Sequence, residues 1–109
     1  MVYDWDSLVL APEEVFAGVS AGIFTCQGRP GVASTDAPEP GEVQGFLASY
    51  ATARGRPWSP PEYASAHAAA AFAVAYNARC DHSVLNGRPP PAGSYLDVLT
   101  RHPQAFRCN

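Results

Sequence analysis

Asp4 and Asp6 stand one residue apart near the start of the chain, with Tyr3 and Trp5 interleaved and Ser7 next in line. Two carboxylates and a hydroxyl at that spacing suit a hard cation with oxygen ligands, or phosphate chemistry built on one. Setting matters as much as residue type. Val2 and Tyr3 favour extended backbone, and an Asp at the end of a buried strand can turn its side chain into a cleft. A bare D-x-D pair is more often solvated than functional. The flanking Tyr3, Trp5 and Leu8 argue for a partly buried setting instead.

Other polar residues have plainer readings. His67 lies in an Ala-rich run and is expected to be packed or half-exposed rather than a ligand. Asp81 and His82 could orient a substrate, but a solvated helix end is the default. Arg54 and Arg56 flank Gly55 and could hold a carboxylate; a solvated loop is the default there. Cys80 reads as a small core residue. Asp36, Glu39 and Glu42 could attract a cationic ligand, although loop charges mostly serve solubility. No substrate-binding residue is identifiable from type and spacing.

Length and composition bound the function. The chain has 109 residues, enough for one small domain or a part of a larger one. Hydrophobic residues make up 47%, but many are Ala, so the core is thinner than that figure implies. Every basic residue is Arg, and the formal net charge is −3 at pH 7. That balance gives no electrostatic case for nucleic acid or an anionic membrane. The region where a signal peptide would be basic holds Asp4 and Asp6. No apolar run is long enough to span a bilayer. Cys26, Cys80 and Cys108 show no C-x-x-C spacing, which fits reduced thiols and a cytoplasmic location.

The elements that must position these residues are mostly helical. Residues 1–11 read as a short strand and a loop, and 12–109 as helices and loops. Pro12-Glu13-Glu14 opens a helix ending near Thr25, with Val15, Phe16, Val19, Ile23 and Phe24 as its apolar stripe. Gln27 to Gly41 reads as a long exposed loop. Glu42 to Arg54 is the next helix, with Gly55 as its stop. Its stripe of Val43, Phe46, Leu47 and Tyr50 is expected to pack on the Ala-rich helix that follows. Ser59-Pro60-Pro61-Glu62 is a capping box with prolines in the first turn. It opens the longest helix, running to about Ser83. Asn86 to Pro91 is a stiff linker, and Ser94 caps a last helix ending near Arg101. A lone strand cannot satisfy its own backbone groups, so its partners are expected outside this sequence.

Val2-Tyr3-Asp4-Trp5-Asp6-Ser7-Leu8 resembles the metal-binding segment of the aminoglycoside phosphotransferase and choline-kinase-like family, which reads V-I-D-W-D or V-I-D-F-E there. Phe46-Leu47-Ala48-Ser49-Tyr50 is similar to its FLxxY helix. Gly55-Arg56-Pro57-Trp58-Ser59-Pro60-Pro61-Glu62 is similar to its GRPxSPEE turn and cap, and Ala75 to His82 to the late part of its long helix. The likeness covers nearly the whole chain but only the last part of the family's larger lobe. It implies a mainly α fold: the helical C-terminal portion of a protein-kinase-like (α+β) fold, with one short N-terminal strand. It also implies Mg²⁺ with ATP, Asp4 holding the metal against the phosphates and Asp6 assisting or bonding to backbone. The phosphate acceptor would be a small-molecule hydroxyl.

The family's H-G-D-x-H-x-x-N catalytic loop has no counterpart here. His67, His82 and His102 are not followed by Gly-Asp, and the sequence contains no Lys to pair with phosphates. The expectation is a partial domain that is inactive alone and that self-associates or joins a separate N-terminal lobe. Two alternatives stand beside it. Asp4 and Asp6 also resemble the D-x-D-G-T-L opening of haloacid-dehalogenase-type phosphatases, as nucleophile and general acid/base, although Ser7 replaces the Gly-Thr step. The other is a non-catalytic helical interaction module.

Overall fold

The computed structural model describes residues 12–26 and 31–106. Among them the chain is mainly α, with four helices and no strand: α1 (Glu13–Ile23), α2 (Pro40–Arg54), α3 (Pro60–Leu85) and α4 (Tyr95–Arg101). The N-terminal strand expected over residues 1–11 lies outside the described residues.

Local signals set most of these boundaries. Ser59 Oγ accepts from the Glu62 amide and the Glu62 carboxylate accepts from the Ser59 amide, at 3.2 and 2.9 Å. This reciprocal pair, with Pro60 and Pro61 behind it, starts α3 where the sequence placed it. A second box at Glu39 and Glu42 moves the start of α2 to Pro40. Gly55 ends α2 in the left-handed region at φ 85°, its amide shared between the Ala51 and Thr52 carbonyls. Asn86, also left-handed, ends α3 two residues beyond Ser83, and Arg88 donates to the Val84 and Leu85 carbonyls there.

Packing departs from the expected stripes. The buried face of α1 is Ala17, Gly18, Ala21 and Gly22, not Val15, Phe16, Val19, Ile23 and Phe24. Phe16, Ile23 and Phe24 are exposed, although Phe24 meets the Phe46 ring at 4.9 Å. The small face sits on the Ala-rich face of α3, so α1 rather than α2 covers Ala66 and Ala70. The cause is distance. Gly18 comes so close that an added Cβ would strike the Ala66 carbonyl, and one at Gly22 would lie 2.9 Å from the Ala73 Cβ. The larger apolar side chains of α1 would hold the helices apart. The α2 stripe instead faces α1, and Val43 and Leu47 close the same continuous core.

Three further expectations need correction. Cys80 is exposed rather than in the core. The segment read as an exposed loop buries Ala37 and Pro38. Asp81, read as solvated, is buried. Its carboxylate accepts from the Ser34 amide at 2.9 Å, the Ser34 hydroxyl at 2.8 Å and the Tyr95 amide at 2.9 Å. The Tyr95 amide is one of the unpaired donors at the start of α4, so α3 supplies a cap for α4 from outside the helix. Asp81 thereby fastens the loop and α4 to α3.

Tyr95 itself is fully buried, and its hydroxyl donates to the Gly22 carbonyl at 2.7 Å. Burial pushes its phenol pKa up, as do Cys26, Asp36 and Asp81 nearby. The bond ties α4 to the end of α1. Tyr95→Phe is expected to lower the unfolding free energy by about 1–2 kcal/mol, because a buried carbonyl loses its donor. Urea denaturation followed by circular dichroism measures this, and an unchanged midpoint would show that the hydroxyl contributes nothing.

Candidate functional site

The expected metal residues, Asp4 and Asp6, lie outside the described residues, as does Cys108. Their donor type suits Mg²⁺, but no geometry bears on them, under either the phosphotransferase or the dehalogenase-type reading. Among the described residues no group of three or more His, Cys, Asp and Glu could hold a metal ion. No helix among them is long and apolar enough to cross a membrane.

What the fold does assemble is a polar cluster where α1, α2 and α3 meet. Its centre is Arg54, the last residue of α2. The side chain was expected in a solvated loop, yet only 8% of it is exposed. Its guanidinium donates to Glu13 Oε1 at 2.7 Å, to Glu62 Oε1 at 3.1 Å, and to the carbonyls of Arg56 and Pro57, both at 3.1 Å. It also lies 3.8 Å from the centroid of the Trp58 ring. Partial burial works to lower the Arg54 pKa, but Glu62 and Glu13 outweigh it and hold it above the usual value. The sequence showed an Arg beside a Gly turn. It did not show that Glu13, 41 residues earlier, would complete the pair.

Trp58 is held as firmly. Its indole N–H donates to the Leu47 carbonyl at 3.0 Å, and its ring stacks on Tyr50 at 5.6 Å. Burial raises the Tyr50 pKa, and the neighbouring Glu13 carboxylate adds to this. Beside this wall, α2 and the turn after it border an open groove of about 780 Å³. Gln44, Ala48, Ala51 and Thr52 of α2 line it, together with Arg56, Trp58 and Tyr63.

The remaining candidates have structural roles. His67 Nε2 donates to the Ala105 carbonyl at 2.8 Å, tying the chain end to α3. His82 is exposed, beside the buried Asp81. Glu39 binds Arg101 at 2.8 Å and His102 at 3.1 Å, and the Arg101 hydrogen bond pulls its pKa down. Glu42 is engaged in the α2 cap. The acids considered for a cationic ligand are thus already partnered, Asp36 included.

Comparisons of this chain with family models, curated proteins and solved structures return no match.

The cluster makes a prediction about acid. The Ser59 amide, with help from Arg54, holds the Glu62 carboxyl at a pKa of about 2 against the opposing effect of burial. A depressed carboxylate adds stability that is full above its unfolded value of about 4.3 and is lost as pH falls toward 2. Glu62→Gln should therefore be less stable than the parent at neutral pH. Between pH 5 and pH 2 it should lose less stability than the parent does, since it has no carboxylate there to protonate. Melting curves across that range test this, and parallel losses in both proteins would contradict it.

Proposed function

We propose that this chain is the C-terminal helical part of an aminoglycoside-phosphotransferase-like enzyme that phosphorylates a small-molecule hydroxyl from ATP. In this reading Asp4 and Asp6 are the metal-side carboxylates, and Mg²⁺, when bound, neutralises phosphate charge. The observation that carries the reading is the order of elements behind that segment. A first helix is followed by α2 with Phe46, Leu47 and Tyr50, then by the Gly55 stop, the Ser59–Glu62 cap and a 26-residue α3. That is the succession the resemblance requires.

The Arg54 cluster supports a framework role for the Gly-Arg-Pro-x-Ser-Pro turn. Its residues cap α3, brace Trp58 and tie α2 to α1. Its two carboxylates, Glu13 and Glu62, pair with Arg54. Phosphoryl transfer depends on positioning and charge neutralisation. The groups that usually supply them, a catalytic His-Gly-Asp and a phosphate-pairing Lys, do not occur in these 109 residues.

A second reading, a helical interaction module, draws on α3. Phe72 and Tyr76, one turn apart, are 68% and 60% exposed while the helix buries Ala.

The 109-residue chain alone is expected to transfer no phosphate from ATP and Mg²⁺ to aminoglycosides or choline, measured by a coupled ADP assay. Turnover abolished by Asp4→Ala would overturn the inactivity. The family reading is tested separately by sequencing the transcript upstream of Met1. It predicts an in-frame H-G-D-x-H-x-x-N about 20 residues back. An upstream frame without it would favour the interaction module.

A further inference from the structure

The groove beside Trp58 lies outside the buried core, and it has the parts of a ligand site. Its volume of about 780 Å³ falls in the range that holds drug-sized molecules. From α2 it is lined by the small residues Ala48 and Ala51 and the polar Gln44 and Thr52. Thr52 Oγ1 donates to the Ala48 carbonyl, so the hydroxyl proton is already used within the helix. Trp58 is a preformed wall, fixed by Leu47, Tyr50 and Arg54. An aromatic ring held in place beside small side chains favours a flat apolar body.

The charge at the rim comes from Arg56. Its carbonyl is fixed by Arg54 Nε at 3.1 Å, while its side chain is 59% exposed. Its ion-pair partner is Glu62 Oε1, at 3.5 Å. That same oxygen already accepts from the Ser59 amide at 2.9 Å and from Arg54 at 3.1 Å. Arg56 is thus the third and most distant claimant on one atom. A carboxylate in the groove would offer it two oxygens in the fork geometry that a guanidinium matches. Among the described residues that line the groove, Arg56 is the charged one. A single carboxylate matches that one guanidinium. A cation would meet the like charge of Arg56.

We propose that this groove binds a small organic monoanion, a flat apolar body carrying one carboxylate, with Arg56 as its charge partner and Trp58 as its wall. This inference does not depend on the phosphotransferase reading.

The test is titration of the ¹⁵N-labelled chain with 2-naphthoate, followed by heteronuclear NMR. Saturable shifts are expected at the Ala48 and Ala51 amides and the Trp58 indole, with a Kd below about 5 mM. Arg56→Gln, at an exposed position, should keep the fold and weaken 2-naphthoate roughly tenfold, the loss expected for one charge-assisted pair. The cation 2-naphthylmethylammonium should not saturate these signals over the same range. Absence of saturation by 2-naphthoate would overturn the proposal. So would equal binding of the cation, or unchanged affinity in Arg56→Gln.

Discussion

The close approach of α1 to α3 is the constraint on which the rest of this structure depends. Gly18 and Gly22 sit against Ala66, Ala69, Ala70 and Ala73 with no room for another carbon. A seam of such small residues buries little area per residue, so its strength comes from dense contact along the helices rather than from large side chains. It leaves the larger core groups, Leu47, Val74, Tyr95 and Val98, to fill the space around it. It also places Glu13 within reach of Arg54, because α1 lies where it does.

Two polar centres, one buried and one partly buried, then fix what the seam does not. Asp81 gathers a loop and the start of α4 onto α3 through hydrogen bonds to Ser34 and Tyr95. Arg54 gathers the start of α1, the end of α2 and the start of α3 through two carboxylates and a Trp face. Each satisfies donors or acceptors that would be costly to leave unpaired. The Arg54 centre holds the wall of the Trp58 groove rigid, so the groove is a by-product of the brace. Arg56, one turn residue away, is left with a poor partner and an open side.

The helices were legible because their signals are local. Ser59 with Glu62, the adjacent prolines, Gly55 and Ser94 each act within four residues of themselves. Contact faces were less legible. On α1 the large apolar residues are the conspicuous pattern, yet the small ones are buried, because helix spacing is a property of two helices together. A Gly-x-x-x-Gly spacing at Gly18 and Gly22 was the available signal. Asp81 and Arg54 were misjudged for a similar reason. Their partners Ser34 and Glu13 are 47 and 41 residues away, and residue type alone gives no hint of them. The groove had no sequence signature, since it runs along mostly exposed positions of α2.

The seam is tested most directly by comparing two glycine-to-alanine substitutions in helices. Gly45, in α2, has nothing within 4 Å of where a Cβ would go. Gly45→Ala should stabilise the protein by about 0.5–1 kcal/mol through helix propensity. Gly18→Ala gains the same propensity but drives a methyl into the Ala66 carbonyl. It should be destabilised by about 1–3 kcal/mol in chemical denaturation. If Gly18→Ala is as stable as the parent, α1 does not approach α3 closely and the account of the core fails.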